Sequence, residues 1–100
     1  QVPETVVKGR LSLDVTAGVA TCDGTDLLLT QKEFALLLIF VRNEGRCLDT
    51  EHLYERVWKA PMAGDSQAFK KTIMRLRSKI RDSGWRIEWS RGEGYSFGRE

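Results

Sequence analysis

The chain has 100 residues, of which 41% are hydrophobic and 30% charged, a composition that excludes disordered, fibrous and membrane-embedded chains and fits one small globular core spanning residues 1–100. Its longest apolar run, Phe34 to Val41, is eight residues, about half of what a membrane span needs, and the first residues lack the charged-then-apolar order of a secretory signal. Net charge is only +2, but residues 1–65 carry 7 basic and 10 acidic side chains while residues 66–100 carry 9 and 4, so the positive charge is concentrated at one end.

Leu11, Leu13 and Val15 alternate with Ser12, Asp14 and Thr16, the period of a half-buried strand. Asp23-Gly24, between Val19–Cys22 and Leu27–Leu29, predicts a hairpin turn and completes a small antiparallel meander. Thr30-Gln31-Lys32-Glu33 has the pattern of a capping box, predicting a helix from Gln31 to about Asn43, with Gly45 ending it. That helix is apolar around most of its circumference and is expected to be central. Leu38, on its outer side, is expected to be ordinary surface variation rather than a partner-facing patch. Asp49 caps a second predicted helix from Thr50 to about Trp58, followed by a loop over 59–64 that holds Pro61 and Gly64.

The third helix, capped by Asp65 or Ser66, carries Phe69, Ile73, Leu76 and Ile80 at i, i+4, i+7 and i+11, which places them in one narrow inward stripe. The opposite side then holds Gln67, Lys71, Met74 and Ser78, flanked by Lys70, Arg75, Arg77 and Arg81. Between Ser66 and Arg81 there are six basic residues, Lys79 among them, and no acidic one, the concentration of charge that attracts polyphosphate. After Asp82-Ser83-Gly84, Trp85, Ile87 and Trp89 alternate with polar residues, and Arg91-Gly92-Glu93-Gly94 turns the chain into Tyr95-Ser96-Phe97, a hairpin with an arginine at its glycine-rich tip. Strands, three helices and a closing hairpin make an α+β fold with the element order of a winged helix-turn-helix.

That arrangement points to duplex DNA. Lys71, Met74 and Arg75, with Gln67 near the helix start, are the expected base-edge readers in the major groove, because Arg and Lys pair with guanine, Gln with adenine, and Met contacts a thymine methyl. Lys70, Arg77 and Arg81, with Ser78 on the same face, are the expected backbone contacts. Arg91, beside Gly92, is expected to enter the adjacent minor groove, where a guanidinium is favoured. Gly92 and Gly94 are required by the turn or by a close backbone approach. His52 is expected to be merely solvated, and Trp58, Trp85 and Trp89 to pack in the core or wing rather than stack on bases. No nucleophile, base or carboxylate pair comes together in the layout, so an enzyme is not expected. Cys22 and Cys47 have no second pair and no zinc-like spacing; free thiols in a reducing cytoplasm, and no metal or cofactor, are expected.

The residues resemble the OmpR/PhoB winged-helix output domains of bacterial two-component response regulators. The likeness lies in Leu11-Ser12-Leu13-Asp14, Leu29-Thr30-Gln31-Lys32-Glu33-Phe34-Ala35-Leu36-Leu37, Gly45-Arg46, Leu53, Val57-Trp58, Ile73-Met74-Arg75-Leu76-Arg77-Ser78-Lys79-Ile80 and Arg91-Gly92-Glu93-Gly94-Tyr95-Ser96-Phe97. It implies an N-terminal four-stranded sheet, a recognition helix over about 66–82, a wing residue at Arg91, and a loop at 59–64 that faces RNA polymerase in such activators. Because the chain begins at Gln1, it is expected to be a C-terminal piece whose upstream receiver domain is absent, monomeric alone and dimeric on DNA as the full-length protein. The chain departs from the family where Gln67-Ala68-Phe69-Lys70-Lys71-Thr72 replaces an Arg-Thr-Val-Asp-Val-His run, and where Trp89-Ser90 replaces Thr-Val before the wing arginine. A membrane-anchored activator resembling ToxR and a winged helix that docks on protein are the alternatives.

Overall fold

The computed structural model describes residues 4–60 and 67–99. Strands β1 (Thr5–Lys8), β2 (Leu11–Asp14), β3 (Val19–Cys22) and β4 (Thr25–Asp26) form an antiparallel sheet in sequential order. Helices α1 (Gln31–Arg42), α2 (Thr50–Trp58) and α3 (Gln67–Lys79) follow, with the short strand β5 (Cys47–Leu48) between the first two. Strands β6 (Trp85–Ser90) and β7 (Gly94–Arg99) close the chain, and β7 lies between β5 and β6 in a second antiparallel sheet. Among the described residues, no helix is long and apolar enough to cross a membrane.

The alternation in β2 holds, with Leu11 and Leu13 fully buried and set opposite Cys22 and Ala20. Asp23 and Gly24 both have positive φ, 52° and 82°, as a tight primed turn requires. Its return arm is Thr25–Asp26 rather than Leu27–Leu29. The Asp26 carboxylate accepts the Leu28 N–H at 2.8 Å and Leu28 takes φ 56°, so the side-chain hydrogen bond diverts the backbone from the ladder. Ahead of β2, β1 pairs Val6 with Leu13, supplying the first of the four strands.

At the start of α1, Glu33 N–H donates to Thr30 Oγ1 at 3.2 Å while Glu33 Oε1 accepts from Thr30 N–H at 3.0 Å, so the capping box is formed. The helix ends at Asn43, not through Gly45. The Asn43 N–H reaches the carbonyls of Ile39 and Phe40 and its side-chain amide reaches that of Ile39, whereas Gly45, at φ 83°, donates to Phe97 O and turns the chain into the second sheet. Leu38 is half-buried and packs against the core. Asp49 caps α2 by accepting from His52 N–H.

The core lies where α1 crosses α2 and α3 beneath the second sheet. Leu36, Leu37 and Phe40 of α1 meet Leu53 of α2 and the Phe69, Ile73, Leu76 stripe of α3, all fully buried. Ile80, one residue past the end of α3, continues that stripe. Buried Ser83 fixes the exit from α3 by donating to Ile80 O at 2.6 Å and accepting from Trp85 N–H. Trp85 stacks on Phe97 with ring centres 4.9 Å apart, and its indole N–H donates to Lys8 O, joining the two sheets. Residues 61–64 of the loop predicted over 59–64, and the cap at Asp65 or Ser66, lie outside the described residues.

Candidate nucleic-acid interface

The orientation of α3 is fixed from both ends. Near its start, Phe69 packs against Tyr95 and Trp58 at ring distances of 5.5 and 6.1 Å. Near its end, Lys79 Nζ donates to Glu33 Oε1 at 2.7 Å and to Leu28 O at 2.8 Å. Glu33 is only 1% exposed, so its carboxylate depends on that ammonium and on Thr30 N–H for compensation. Arg77 adds a third tie, with Nε donating to Ile87 O at 2.9 Å and the guanidinium over the Tyr95 ring.

These ties sort the basic residues. Gln67, Lys70, Lys71, Met74, Arg75 and Ser78 are exposed on α3, and Arg81 is exposed just beyond it. Lys79 instead turns inward to Glu33, so one of the six cations counted between Ser66 and Arg81 does not join the basic face. Arg77 remains exposed but spends one donor on the wing. In the sequence, the hint was that Lys79 stands next to Ile80 and three residues after Leu76, at the margin of the buried stripe. Its partner Glu33 also completes the capping box, and the pairing with Lys79 forms only by tertiary contact.

The wing tip spans Ser90 to Gly94. Glu93 N–H donates to Ser90 O at 3.0 Å, and Gly92 has φ 78°, a conformation that glycine adopts without cost. Gly94, at φ 114°, has a further constraint: a Cβ there would stand 2.1 Å from Leu48 O. The wing thus lies directly on β5 because position 94 has no side chain. Arg91 and Gly92 are exposed at the tip. Behind them, the exposed Cys47 thiol donates to Glu93 Oε2 at 3.4 Å, and this hydrogen bond, with a small loss of hydration and the carboxylate charge, pushes the thiol pKa up. Both cysteines are free, as expected, and His52 is exposed on α2.

The tryptophans do not all pack. Trp85 is buried and Trp58 stacks on Tyr54 at 4.7 Å, but Trp89 is 56% exposed. It shares the inward parity of Trp85 and Ile87, yet the hairpin has outrun the core at that point, so its face has nothing to cover it.

Among known proteins, the model of the family described as "Transcriptional regulatory protein, C terminal" matches residues 24–97. The chain is 40% identical over 87 residues to the regulatory protein VanRB of Enterococcus faecalis, covering 87% of this chain and 39% of that protein. It is 39% identical over 74 residues to the sensory transduction protein RegX3 of Mycolicibacterium smegmatis, covering 74% of this chain and 32% of that one. The chain therefore spans well under half the length of these relatives. Among solved structures, the DNA-binding domain of CpxR from E. coli superposes with a TM-score of 0.84 at 28% identity, over 96% of this chain and 97% of that one. The Klebsiella pneumoniae RstA DNA-binding domain, solved in complex with the RstA box, shares the fold with a TM-score of 0.82 at 24% identity, over 95% and 97%. With the sheet, three helices and hairpin described above, these matches establish that the chain belongs to the C-terminal transcriptional regulatory family, the non-enzymatic OmpR/PhoB-type winged-helix DNA-binding domains of response regulators.

Proposed function

We propose that this domain binds a specific duplex DNA sequence with α3 in the major groove and the wing in the adjacent minor groove. The observation that carries the reading is the outward face of α3, which apart from Met74 is basic and polar with no acidic residue, while the opposite stripe is locked into the core. Gln67, Lys71, Met74 and Arg75 face the base edges. Lys70, Arg77, Ser78 and Arg81 face phosphates, and Arg91, next to Gly92, reaches the minor groove. In the full-length protein, the domain stands behind a receiver domain that sets dimerisation on DNA, the loop at 59–64 faces RNA polymerase, and the protein works in the cytoplasm. What supports the reading is that the matching family model is described as C terminal and that the chain spans only 39% of VanRB.

With Lys79 turned inward, five exposed cations remain on or just beyond α3, Lys70, Lys71, Arg75, Arg77 and Arg81, and each offsets about one phosphate charge whether it sits at a phosphate or at a base edge between the strands, so log affinity plotted against log salt is expected to have a slope near −4 to −5. Fluorescence anisotropy of labelled duplex between low and moderate salt measures it. A slope near zero would transfer the basic face to a protein partner.

A further inference from the structure

Between α3 and the wing, Trp89 and Met74, respectively 56% and 68% exposed, stand over an open cavity of about 400 Å³. Its floor is apolar, made by Phe69, Ile73 and Tyr95, and its rim is cationic, made by Lys70 and Arg77. Leaving an indole and a thioether uncovered is costly unless something covers them. The occupant must therefore be apolar at its centre and anionic at its edges.

One candidate arises from the geometry of the proposed complex, on which this inference rests. If α3 lies in the major groove and the wing tip in the neighbouring minor groove, the segment between them faces the sugar-phosphate strand that separates the two grooves. That strand presents anionic phosphates alternating with the C–H faces of deoxyribose. Bases inside a duplex do not offer their ring faces to a side chain, so stacking on Trp89 would require the duplex to open. We propose that Trp89, supported by Met74, is a DNA-contacting residue that packs against deoxyribose while Lys70 and Arg77 take the flanking phosphates. The contact is apolar, so it adds affinity without adding to the salt dependence.

The test uses this 100-residue chain with a selected duplex and with a random duplex of equal length. Acrylamide quenching of tryptophan fluorescence identifies the Trp89 contribution as the component missing from Trp89→Ala. That component is expected to become protected when saturating duplex is added. In parallel, Trp89→Ala is expected to lose about tenfold or more in affinity with an unchanged salt slope, the value of removing well over one buried methylene, whereas Lys70→Ala should reduce the slope by about one. Trp89→Phe, which keeps an apolar ring, should recover most of the loss. If the duplex binds but Trp89 remains as quenchable as in the free protein, or if Trp89→Ala binds like the parent, the inference is overturned while the DNA reading stands. Protection that grows with protein concentration in the absence of DNA would overturn it in favour of a second copy of the chain. Absence of duplex binding at low salt would defeat the proposed function itself.

Discussion

Gly94→Ala is expected to destabilise the domain by about 3 kcal/mol or more, combining a forced positive φ with an overlap that repacking does not relieve. The new Cβ would meet Leu48 O at 2.1 Å and Leu48 C at 2.8 Å, and both are backbone atoms of the neighbouring strand, which no rotamer change moves. Relief requires β7 to separate from β5, which would open the second sheet and loosen Tyr95 against Phe69. The effect therefore reaches the proposed recognition helix as well as the wing. Gly18→Ala is the control, because Gly18 has φ 70° but nothing within 4 Å of where a new Cβ would stand; it should cost only about 1 kcal/mol. Urea denaturation compares the two, and at the m-values of small domains Gly94→Ala should lower the midpoint by about 2 M or unfold the chain outright. Equal midpoints for the two variants would mean that the close wing–β5 approach does not exist.

Lys79→Met is expected to cost about 2 to 3 kcal/mol, somewhat less than a fully buried broken pair because the Lys79 side chain is 31% exposed. The loss comes from leaving the Glu33 carboxylate buried with only Thr30 N–H for company. Glu33→Gln keeps an acceptor for that cap while removing the charge, so Glu33→Gln with Lys79→Met should recover most of the stability. Because Lys79 faces inward, Lys79→Met should leave the salt slope of DNA binding unchanged, unlike Lys70→Ala or Lys71→Ala. Thermal unfolding of the three variants checks the stability cycle. A stability loss below about 0.5 kcal/mol together with a shallower salt slope would place Lys79 on the DNA-facing surface instead.

The elements that the sequence shows clearly are those whose signals are local. The capping box at Thr30, the Asp49 cap and the Phe69, Ile73, Leu76, Ile80 stripe each depend on residues within a few helical turns, and each is present in the fold. The misread features depend on partners or context beyond such a window. Leu27–Leu29 has the composition of a strand, but the Asp26 carboxylate captures Leu28 N–H and the ladder stops. Gly45 has the look of a helix terminator, but its N–H belongs to Phe97, and Asn43 closes α1 instead. Lys79 counts as one more cation in the basic run until α1 brings Glu33 against it across 46 residues. Trp89 keeps the alternation of a packed strand, and only the position of the core edge shows that it is uncovered. The basic face itself was legible because charge on one side of an amphipathic helix follows directly from its periodicity.

In the proposed complex, α3 reads base edges while Arg91 reads the shape of a minor groove. Selection of bound duplexes from a random pool tests this most directly when run in parallel with the parent, Arg75→Ala and Arg91→Ala, with circular dichroism as the folding control. Neither residue lies on the buried stripe and both are exposed, so both variants should remain folded. A single enriched half-site is expected for the parent. Relaxed preference at one base position and a cost of about 1 to 3 kcal/mol are expected for Arg75→Ala, and for Arg91→Ala weaker binding with flattened A·T preference in the flank but an unchanged half-site. Folded parent protein that enriches no sequence, or two variants that select the parent's site and flank with the parent's affinity, would contradict the proposed complex.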